Sequence, residues 1–421
     1  MTPPRNREEL TLTLGEPAHG GACVARDNDG RVVFVRHGLP GEKVVARVSA
    51  TRKRLAWANV IEVLEASPDR VEPAWPQAAR EKIGGAELCH VRPAAQRTWK
   101  EDVLRGQIRR VGGEGLAQAV DSIGGVRVQA CPGDEDPDDL LLHRRTRIEL
   151  VADKDGRLGM SRYRSNQVVA LESMPLAVDA LCEIGLFDGN DSRWLTAWGP
   201  RDRVRAVAST GGDIAVVTPS GTYDGQGKPL DREKLRWVVE PDPEPFNVRP
   251  SGFWQTHVRG AQVLSDAVRR LAGQGSAAME LYSGAGLFTR SLAGAFGRVV
   301  SLEGDDGAVE DAALNLGGAA HVETFIGDVD HQGILDLSNE LQSHADVVVM
   351  DPPRSGAGDE VCQTVAALGS ERIVLVSCDP AAGARDLRTL TEGGYRLTSL
   401  DAWDLFPHTH HVEFIAALEK D

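Results

Sequence analysis

Residues 277–304 read AAMELYSGAGLFTRSLAGAFGRVVSLEG, and this stretch decides the fold of the C-terminal half. An apolar run ends in the turn Ser283-Gly284-Ala285-Gly286, a helical segment follows, and a second apolar run ends at Glu303. A glycine-rich turn of this kind lets a ligand approach the backbone at a helix N-terminus. An acid about 20 residues further on is placed to bind the two hydroxyls of a ribose. The stretch therefore predicts a β-α-β unit for an adenosine cofactor, and NAD fits it as well as other adenosine compounds do.

The same alternation of apolar runs and helical stretches continues to the C-terminus. Runs such as DVVVMDPP at 346–353 and RIVLVSC at 372–378 are apolar throughout, which is typical of parallel strands covered on both faces. We expect a doubly wound α/β domain over residues 245–421. The last run, at 412–420, follows its predecessor too closely for a helix, which predicts an antiparallel final hairpin.

Two modules precede this domain. Residues 1–67 contain five short β-rich runs with turn signals between them, which predicts a small β-barrel of the oligonucleotide-binding type. Residues 68–80 are rich in Pro and Ala and are typical of a linker. Residues 81–240 combine a helical stretch at about 92–111 with many short strands, and we interpret them as an α+β central domain.

Reactive side chains follow the apolar runs of the C-terminal domain. In open α/β sheets, ligands bind beyond the carboxyl ends of the strands. The third run is followed by Asp328, the fourth by Asp351 and the fifth by Cys378. A nicotinamide dehydrogenase needs neither a cysteine nor an Asp-Pro-Pro sequence at adjacent strand ends. An isolated cysteine there is more often a small core residue, so Cys378 alone does not decide the chemistry.

Methylation of uracil at carbon 5 does need such a cysteine. The C5=C6 bond is a poor nucleophile, and attack of a thiolate at C6 converts C5 into a nucleophilic carbon. After methyl transfer, a base removes the C5 proton and the cysteine is eliminated. Cys378 suits the first task, and Glu413, in the sequence PHTHHVE at 407–413, is the candidate for the second.

Six ordered motifs make the C-terminal half similar to one known family. They are FWQTH at 253–257, ELYSGAGLF at 280–288, EG at 303–304, DPPRSGAG at 351–358, VSCDPAAGARDL at 376–387 and DLFPHTHHVE at 404–413. Together they resemble the RNA 5-methyluridine (uracil-C5) methyltransferases, which act on transfer RNA or large-subunit ribosomal RNA. The N-terminal barrel resembles the TRAM domain of several members. The resemblance implies a class I, Rossmann-like S-adenosylmethionine-dependent methyltransferase domain at 245–421.

The resemblance also assigns roles to individual residues. It implies that Cys378 is the nucleophile, that Glu413 is the proton-abstracting base and that Asp351 lies between the cofactor and the target base. The residues implied to bind S-adenosylmethionine are Gln255, Tyr282, Gly284, Gly286, Glu303, Asp328 and Asp351. In the central domain, HRRTRIEL at 143–150 resembles an Arg-rich strand of the family, so Arg144, Arg145 and Arg147 are expected to contact phosphates.

Charge and composition agree with an RNA enzyme of the cytoplasm. The net charge of −15 argues against indiscriminate nucleic-acid binding. Residues 1–65 nevertheless hold ten Arg/Lys and eight Asp/Glu, and Arg52, Lys53 and Arg54 precede Trp57, a pattern that suits backbone contact with base stacking. A solvated hairpin tip with a core Trp explains the same pattern. We expect a cytoplasmic monomer without a membrane segment, because apolar runs of spanning length and a signal-peptide core are missing.

Several positions depart from the family pattern. Some relatives hold an iron–sulfur cluster through Cys-rich segments, but here those segments read Trp75-Pro76, Ile83-Gly84-Gly85-Ala86 and Met174-Pro175, with Cys89 offset, so we expect no cluster. No other metal is expected either. The usual Asn after the nucleophile is Asp379, whose charge raises the thiol pKa unless it is turned away or paired. The other two changes are His257 in place of an Asn and Leu287 in place of a polar residue.

Two other functions remain open at this level. Asp379 and Leu287 favour an RNA-binding protein whose methyltransferase site has decayed, whereas the presence of Cys378, Asp351 and Glu413 argues against decay. A DNA cytosine methyltransferase is disfavoured, because those enzymes typically carry a Pro-Cys nucleophile after an earlier strand.

Overall fold

The computed structural model describes residues 8–242 and 244–421. The chain begins with a six-stranded β-barrel whose strands alternate buried and exposed side chains around an apolar core. The strands are β1 (Glu9–Thr13), β2 (Pro17–Ala18), β3 (Ala22–Arg26), β4 (Val32–Arg36), β5 (Lys43–Arg52) and β6 (Leu55–Glu65), in the order β1-β5-β6-β4-β3-β2. The barrel expected at 1–67 is thus present, and its first seven residues lie outside the described ones.

The middle of the chain carries helices first and strands afterwards. Its elements are α1 (Pro76–Glu81), α2 (Pro93–Gln107), a π-helical turn at Ile108–Gly112, α3 (Glu114–Ser122), β7 (Val128–Ala130), β8 (Arg147–Ala152), β9 (Leu158–Ser161), β10 (Val168–Ala170), α4 (Asp179–Cys182), β11 (Arg203–Ala208), β12 (Ile214–Thr218), β13 (Gly221–Tyr223), β14 (Leu235–Trp237) and β15 (Phe246–Val248). Strands β8–β13 form an antiparallel sheet in the order β10-β9-β8-β11-β12-β13.

The C-terminal domain is the doubly wound sheet expected from the sequence. Its elements are α5 (Gly260–Ala272), β16 (Gly275–Leu281), α6 (Leu287–Ala293), β17 (Phe296–Glu303), α7 (Asp306–Asn315), β18 (Val322–Ile326), α8 (His331–Leu341), β19 (Val347–Met350), α9 (Asp359–Leu368), β20 (Arg372–Ser377), α10 (Pro380–Glu392), β21 (Tyr395–Asp404) and β22 (Glu413–Lys420). The sheet order is β18-β17-β16-β19-β20-β22-β21-β7. Strands β16–β20 are parallel, and β22 runs antiparallel to both β20 and β21, as predicted.

Residues 93–130 do not belong to the central domain as the 81–240 boundary implied. Strand β7 pairs with β21 and becomes the eighth strand of the C-terminal sheet. Helix α2 continues this attachment, because its Leu104 packs in the apolar core of that domain while its Trp99 packs in the core of the barrel. The sequence pattern missed this because a three-residue strand carries almost no periodic signal. Helix α2 therefore joins the barrel to the C-terminal domain.

A buried ion pair fixes α2 to the loop between β21 and β22. The Lys100 ammonium lies 2.5 Å from Asp404 Oδ1 and donates to the Phe406 carbonyl, and both charged side chains are almost inaccessible to solvent. One turn earlier, Gln96 accepts a hydrogen bond from the His408 backbone N–H. Both contacts hold the loop that leads into Glu413. Within the described ranges, no helix is both long and apolar enough to cross a membrane.

We expect Lys100→Met to destabilise the protein by about 3–5 kcal/mol, because it leaves the Asp404 carboxylate buried without a cation. The double variant Lys100→Met/Asp404→Asn should recover most of that loss, and urea unfolding measures both. The matched control is Arg105→Met on the same helix, which breaks the exposed pair with Asp102 and should cost less than about 1 kcal/mol. A double variant no more stable than Lys100→Met would contradict this role for the pair.

Candidate active site

The register of the parallel strands places the predicted site residues along one edge of the sheet. Leu281 at the end of β16 pairs with Leu302 on β17 and with Met350 on β19. Since these three residues share a level, the residues that follow them emerge together at the carboxyl edge. Tyr282, Glu303 and Asp351 are therefore neighbours in space although they are up to 69 residues apart in the chain.

The glycine-rich turn after β16 is held open by its backbone conformation. Gly284 and Gly286 have φ values of 53° and 85°, in the left-handed region that favours glycine. The Gly284 N–H donates to Glu303 Oε2 at 2.9 Å, and the Asp305 N–H donates to the other oxygen at the same distance. These bonds orient the Glu303 carboxylate beside the turn.

This turn fits an adenosine cofactor. The Ser283 hydroxyl is buried, and no group in the described part of the chain forms a hydrogen bond with it. Gly286 lies at the start of α6, where a side-chain Cβ would come within 3.3 Å of Ala312, so the backbone passes closely there. A buried polar atom, an open turn and an oriented carboxylate are the features that a ribose with its adenine requires.

Cys378 and Glu413 meet because β22 runs antiparallel to β20. Ser377, the last residue of β20, pairs with Phe414, so Cys378 and Glu413 lie side by side where one strand ends and the other begins. Glu413 is buried and Cys378 is half-buried. Burial, together with the charges of Glu413 and Asp351, raises the pKa of the Cys378 thiol to about 12.

The two carboxyl groups of the site are perturbed in the same direction. Burial raises the pKa of Asp351 to about 7. Burial and the charge of Asp351 raise the pKa of Glu413 well above its ordinary range, while Arg354 opposes the shift. Three acidic groups thus share one poorly solvated site, and each disfavours the ionisation of the others.

Both carboxylate oxygens of Asp379 have partners in the structure. Its Oδ1 accepts the backbone N–H groups of Ala381 and Ala382, which caps α10, and its Oδ2 lies 3.3 Å from His19 Nε2 in the barrel. Although burial raises the pKa of Asp379, these hydrogen bonds lower it to about 2. The predicted like-charge effect on the thiol exists, but it is smaller than the effects of Glu413 and Asp351.

Both ring nitrogens of His257 also have partners. Its Nε2 lies 3.0 Å from Asp134 Oδ2, and its Nδ1 accepts the Arg259 N–H and lies 3.6 Å from Cys131 Sγ. Asp134 also accepts a hydrogen bond from Arg144. The Cys131, Asp134 and His257 ligand atoms are close enough to hold a metal ion, but the bonds from Arg144 and Arg259 make the group a hydrogen-bond network that anchors the 253–257 loop.

A cavity of about 710 Å³ joins most of the predicted residues. The lining includes Gln255, Tyr282, Gly284, Glu303, Asp351, Cys378 and Glu413, together with Leu287. Two predicted cofactor residues are not part of this lining. Gly286 lies behind the turn at the start of α6, and Asp328 is an exposed residue two positions beyond the end of β18.

The predicted RNA-binding arginines are used in different ways. Arg144 binds the carboxylates of Asp134 and Asp139, and Arg145 donates to the Gly85 carbonyl from a half-buried position. These internal contacts argue against phosphate contacts for either residue. Arg147 lines the cavity and donates to the Gly252 and Trp254 carbonyls.

The basic tip of the barrel has an open position. Arg52, Lys53 and Arg54 are exposed at the turn between β5 and β6. Trp57 is half-buried and stacks on Phe34, with 6.0 Å between the ring centroids. The tip remains accessible to a nucleic-acid backbone, while the Trp57 ring is partly engaged within the barrel.

Sequence reasoning missed several residues of the site. Arg354 lies within the DPPR motif, but only its position in the cavity reveals that it lowers the pKa of both Cys378 and Glu413. Phe253 is 66% exposed at the cavity, and Arg205 and Arg249 come from separate strands or loops. Of these, Arg354 and Phe253 stood within quoted motifs, whereas nothing in the sequence distinguished Arg205.

The segments in which the sequence predicts no iron–sulfur cluster form part of an apolar core. Trp75, Ile83, Ala86 and Met174 are all buried in one cluster that also contains Cys89. Burial raises the pKa of Cys89 to about 11, which disfavours the thiolate that metal ligation needs.

Comparison with known proteins gives consistent matches. Residues 4–61 match the TRAM domain model, and residues 333–421 match the tRNA (Uracil-5-)-methyltransferase model. The chain is 35% identical to an "Uncharacterized RNA methyltransferase" of Streptomyces avermitilis, with 98% of both chains covered. It is 32% identical to the "23S rRNA (uracil(1939)-C(5))-methyltransferase RlmD" of Stenotrophomonas maltophilia, over 99% of this chain and 98% of that relative.

A solved structure shares the fold over nearly the whole chain. It is the Pyrococcus abyssi tRNA (uracil-54, C5)-methyltransferase in complex with S-adenosyl-L-homocysteine. The TM-score is 0.70, the sequence identity is 21%, and the match covers 97% of this chain and 100% of that one. The expected arrangement of barrel, central part and methyltransferase domain is confirmed at the level of fold.

The raised pKa of Asp351 has a consequence for stability. The pKa of this carboxyl is higher in the folded protein than in the unfolded chain. Its contribution to the free energy of unfolding is therefore complete below about pH 4 and is lost as the pH rises towards 7. We therefore expect the stability of Asp351→Asn relative to the natural protein to increase between pH 4.5 and pH 7.5. Urea unfolding without cofactor or RNA measures this.

The exposed Asp231→Asn variant is the control and should give the same difference at both pH values. A stability difference for Asp351→Asn that stays constant with pH would contradict the raised pKa.

Proposed function

The chain belongs to the RNA (uracil-C5) methyltransferase family, and on that premise we propose that it methylates carbon 5 of a uridine in structured RNA through a covalent bond between Cys378 and C6 of the base. The observation that carries the proposal is the convergence of Cys378, Glu413 and Asp351 beside the glycine-rich turn in one cavity. Enzymes of this family are dependent on S-adenosylmethionine.

The residues around the glycine-rich turn are proposed to bind the cofactor. Glu303 would accept the ribose hydroxyls, while Gln255 and the turn at Tyr282–Gly286 would contact the remainder. When bound, S-adenosylmethionine supplies an electrophilic methyl group. The positive charge of the bound cofactor would lower the pKa of neighbouring acids and so would favour ionisation of Cys378.

Cys378 is proposed to attack C6 of the uracil as a thiolate. Its high pKa without ligands keeps most of the thiol protonated, and the charge of Arg354 favours the thiolate. Attack forms the S–C6 bond and moves the electrons of the C5=C6 bond onto C5 and the O4 carbonyl. Carbon 5 would then take the methyl group of S-adenosylmethionine, whose S–CH3 bond breaks to leave S-adenosylhomocysteine, and the base, saturated at C5 and C6, would stay bound to Cys378.

Glu413 is proposed to complete the reaction. Its carboxylate takes the proton from C5, the electrons of that bond re-form the C5=C6 double bond, and the S–C6 bond breaks to release Cys378 as a thiolate. A base with a raised pKa is suited to this task, because it holds the proton firmly after abstraction. Burial of Glu413 beside the thiol supports this role.

The RNA is proposed to lie across the basic tip of the barrel and the mouth of the cavity. Arg52, Lys53 and Arg54 on the barrel and Arg147 at the cavity are the proposed phosphate contacts. The target base must leave its stack to reach Cys378. Both transfer RNA and 23S ribosomal RNA fit this description.

Glu413→Gln should stop the reaction after methyl transfer, because the amide cannot take the C5 proton. We expect turnover to fall by at least about 100-fold. We also expect a protein–RNA complex that survives denaturation to accumulate with unmodified RNA and S-adenosylmethionine. Separate incubations with transfer RNA and 23S ribosomal RNA, followed by denaturing gels, identify which of the two is the substrate.

The matched control is Glu413→Gln/Cys378→Ala, which lacks the nucleophile and should form no such complex. A Glu413→Gln enzyme that turns over at the natural rate would contradict the assignment of the base. Formation of 5-methyluridine in the natural protein, read by mass spectrometry of digested RNA, checks the site of methylation independently.

A further inference from the structure

The side chain of His19, in the barrel, reaches the nucleophile loop. This residue lies between β2 and β3, and its Nε2 is 3.3 Å from Oδ2 of Asp379, the residue that follows Cys378. We propose that His19 is a positioning residue for the methyltransferase reaction: its Nε2 holds Oδ2 of the Asp379 carboxylate by a hydrogen bond, so that this carboxylate hinders ionisation of the adjacent Cys378 less. The proposal rests on the role of Cys378 as nucleophile.

Asp379 needs a partner because it cannot leave its position. Its Oδ1 accepts two backbone N–H groups at 2.9 Å and caps α10, the helix that begins directly after the nucleophile. A carboxylate at this place raises the pKa of the neighbouring thiol. The hydrogen bond with His19 reduces that effect while the cap is kept.

The loop that carries His19 is built to stay at this position. The Tyr163 hydroxyl of the central domain donates to the Gly20 carbonyl at 3.1 Å. Gly21 has φ 75°, and a Cβ there would lie 3.2 Å from the Cβ of Glu87, so the backbone approaches closely. The His19 ring also meets the His410 ring edge-on, with 6.0 Å between their centroids. Contacts with Tyr163, Glu87 and His410 therefore fix the loop that carries His19.

The His19–Asp379 contact lies beside further charged and titratable side chains. His410 lies 3.4 Å from Glu87 Oε2 and stacks near His411, which lines the cavity. Asp379 and His410 contact His19 directly. The charged and titratable groups beside His410, Gly20 or Tyr163 are Glu87, His411, Tyr163, Arg164 and Arg36. Of these groups, Asp379 is the carboxylate that directly follows the nucleophile in the chain.

Alkylation of Cys378 tests the proposal without RNA or cofactor. The purified full chain is treated with iodoacetamide from pH 7 to pH 10, and the rate at Cys378 is read by peptide mass spectrometry. We expect His19→Ala to slow the alkylation of Cys378 by about three- to tenfold, as a rise of half to one unit in the thiol pKa requires. Half-buried Cys182, in another part of the chain, is the internal reference and should keep its rate.

The matched variant Asp379→Asn keeps the shape of the cap and removes the charge. It should alkylate faster than the natural protein, and His19→Ala added to it should have no further effect. An equal loss in both backgrounds, or an unchanged pH profile in His19→Ala, would overturn the proposal. In parallel, 5-methyluridine formation is measured with the same proteins. If the natural protein makes none while the alkylation rates still depend on His19 through Asp379, the proposed function fails and the His19 coupling stands.

Discussion

Burial of three acidic groups at one edge of the C-terminal sheet is the constraint on which the site depends. Cys378, Asp351 and Glu413 lie at the ends of strands covered on both faces, where water is scarce and each group resists ionisation. This environment suppresses thiolate chemistry without ligands. In the same environment a positive charge strongly favours ionisation of the nearby acids, and Arg354 supplies such a charge from the same loop as Asp351. Under the proposed mechanism, Cys378 would attack a base only when cofactor and RNA are present.

The remaining parts of the chain serve to hold this edge. The buried Lys100–Asp404 pair fixes the loop that ends in Glu413, and it comes from a helix that also packs in the barrel. The His257–Asp134 contact anchors the loop that carries Gln255. Each contact joins segments that are distant in sequence. The barrel and the middle of the chain are therefore part of the geometry of the active site as well as candidate surfaces for RNA.

Much of this architecture could be predicted from the sequence, for identifiable reasons. The apolar runs that end at Glu303, Asp351 and Cys378 are long and uniform, and strand ends in such a sheet converge whatever the loops do. The predictions of the barrel strands and of the final hairpin were correct because they too rested on the pattern of apolar runs. Strand β7 was missed because three residues do not establish a period. The partners of Asp379 and His257 were missed because a single side-chain contact between distant segments leaves no sequence pattern. Arg144 and Arg145 were assigned by similarity of a short segment; both make internal contacts in the structure, and their phosphate contacts stay a prediction.

The most direct test of the account is covalent trapping on RNA that contains 5-fluorouridine. Fluorine at C5 cannot leave as a proton, so an enzyme that attacks C6 and methylates C5 must stop at the covalent stage. With S-adenosylmethionine, we expect the natural protein to form a denaturation-resistant complex whose mass includes the methylated base attached to Cys378, and we expect Cys378→Ala to form none. Absence of the complex in the natural protein, while cofactor and RNA still bind, would contradict the covalent mechanism and favour an RNA-binding protein with a decayed site.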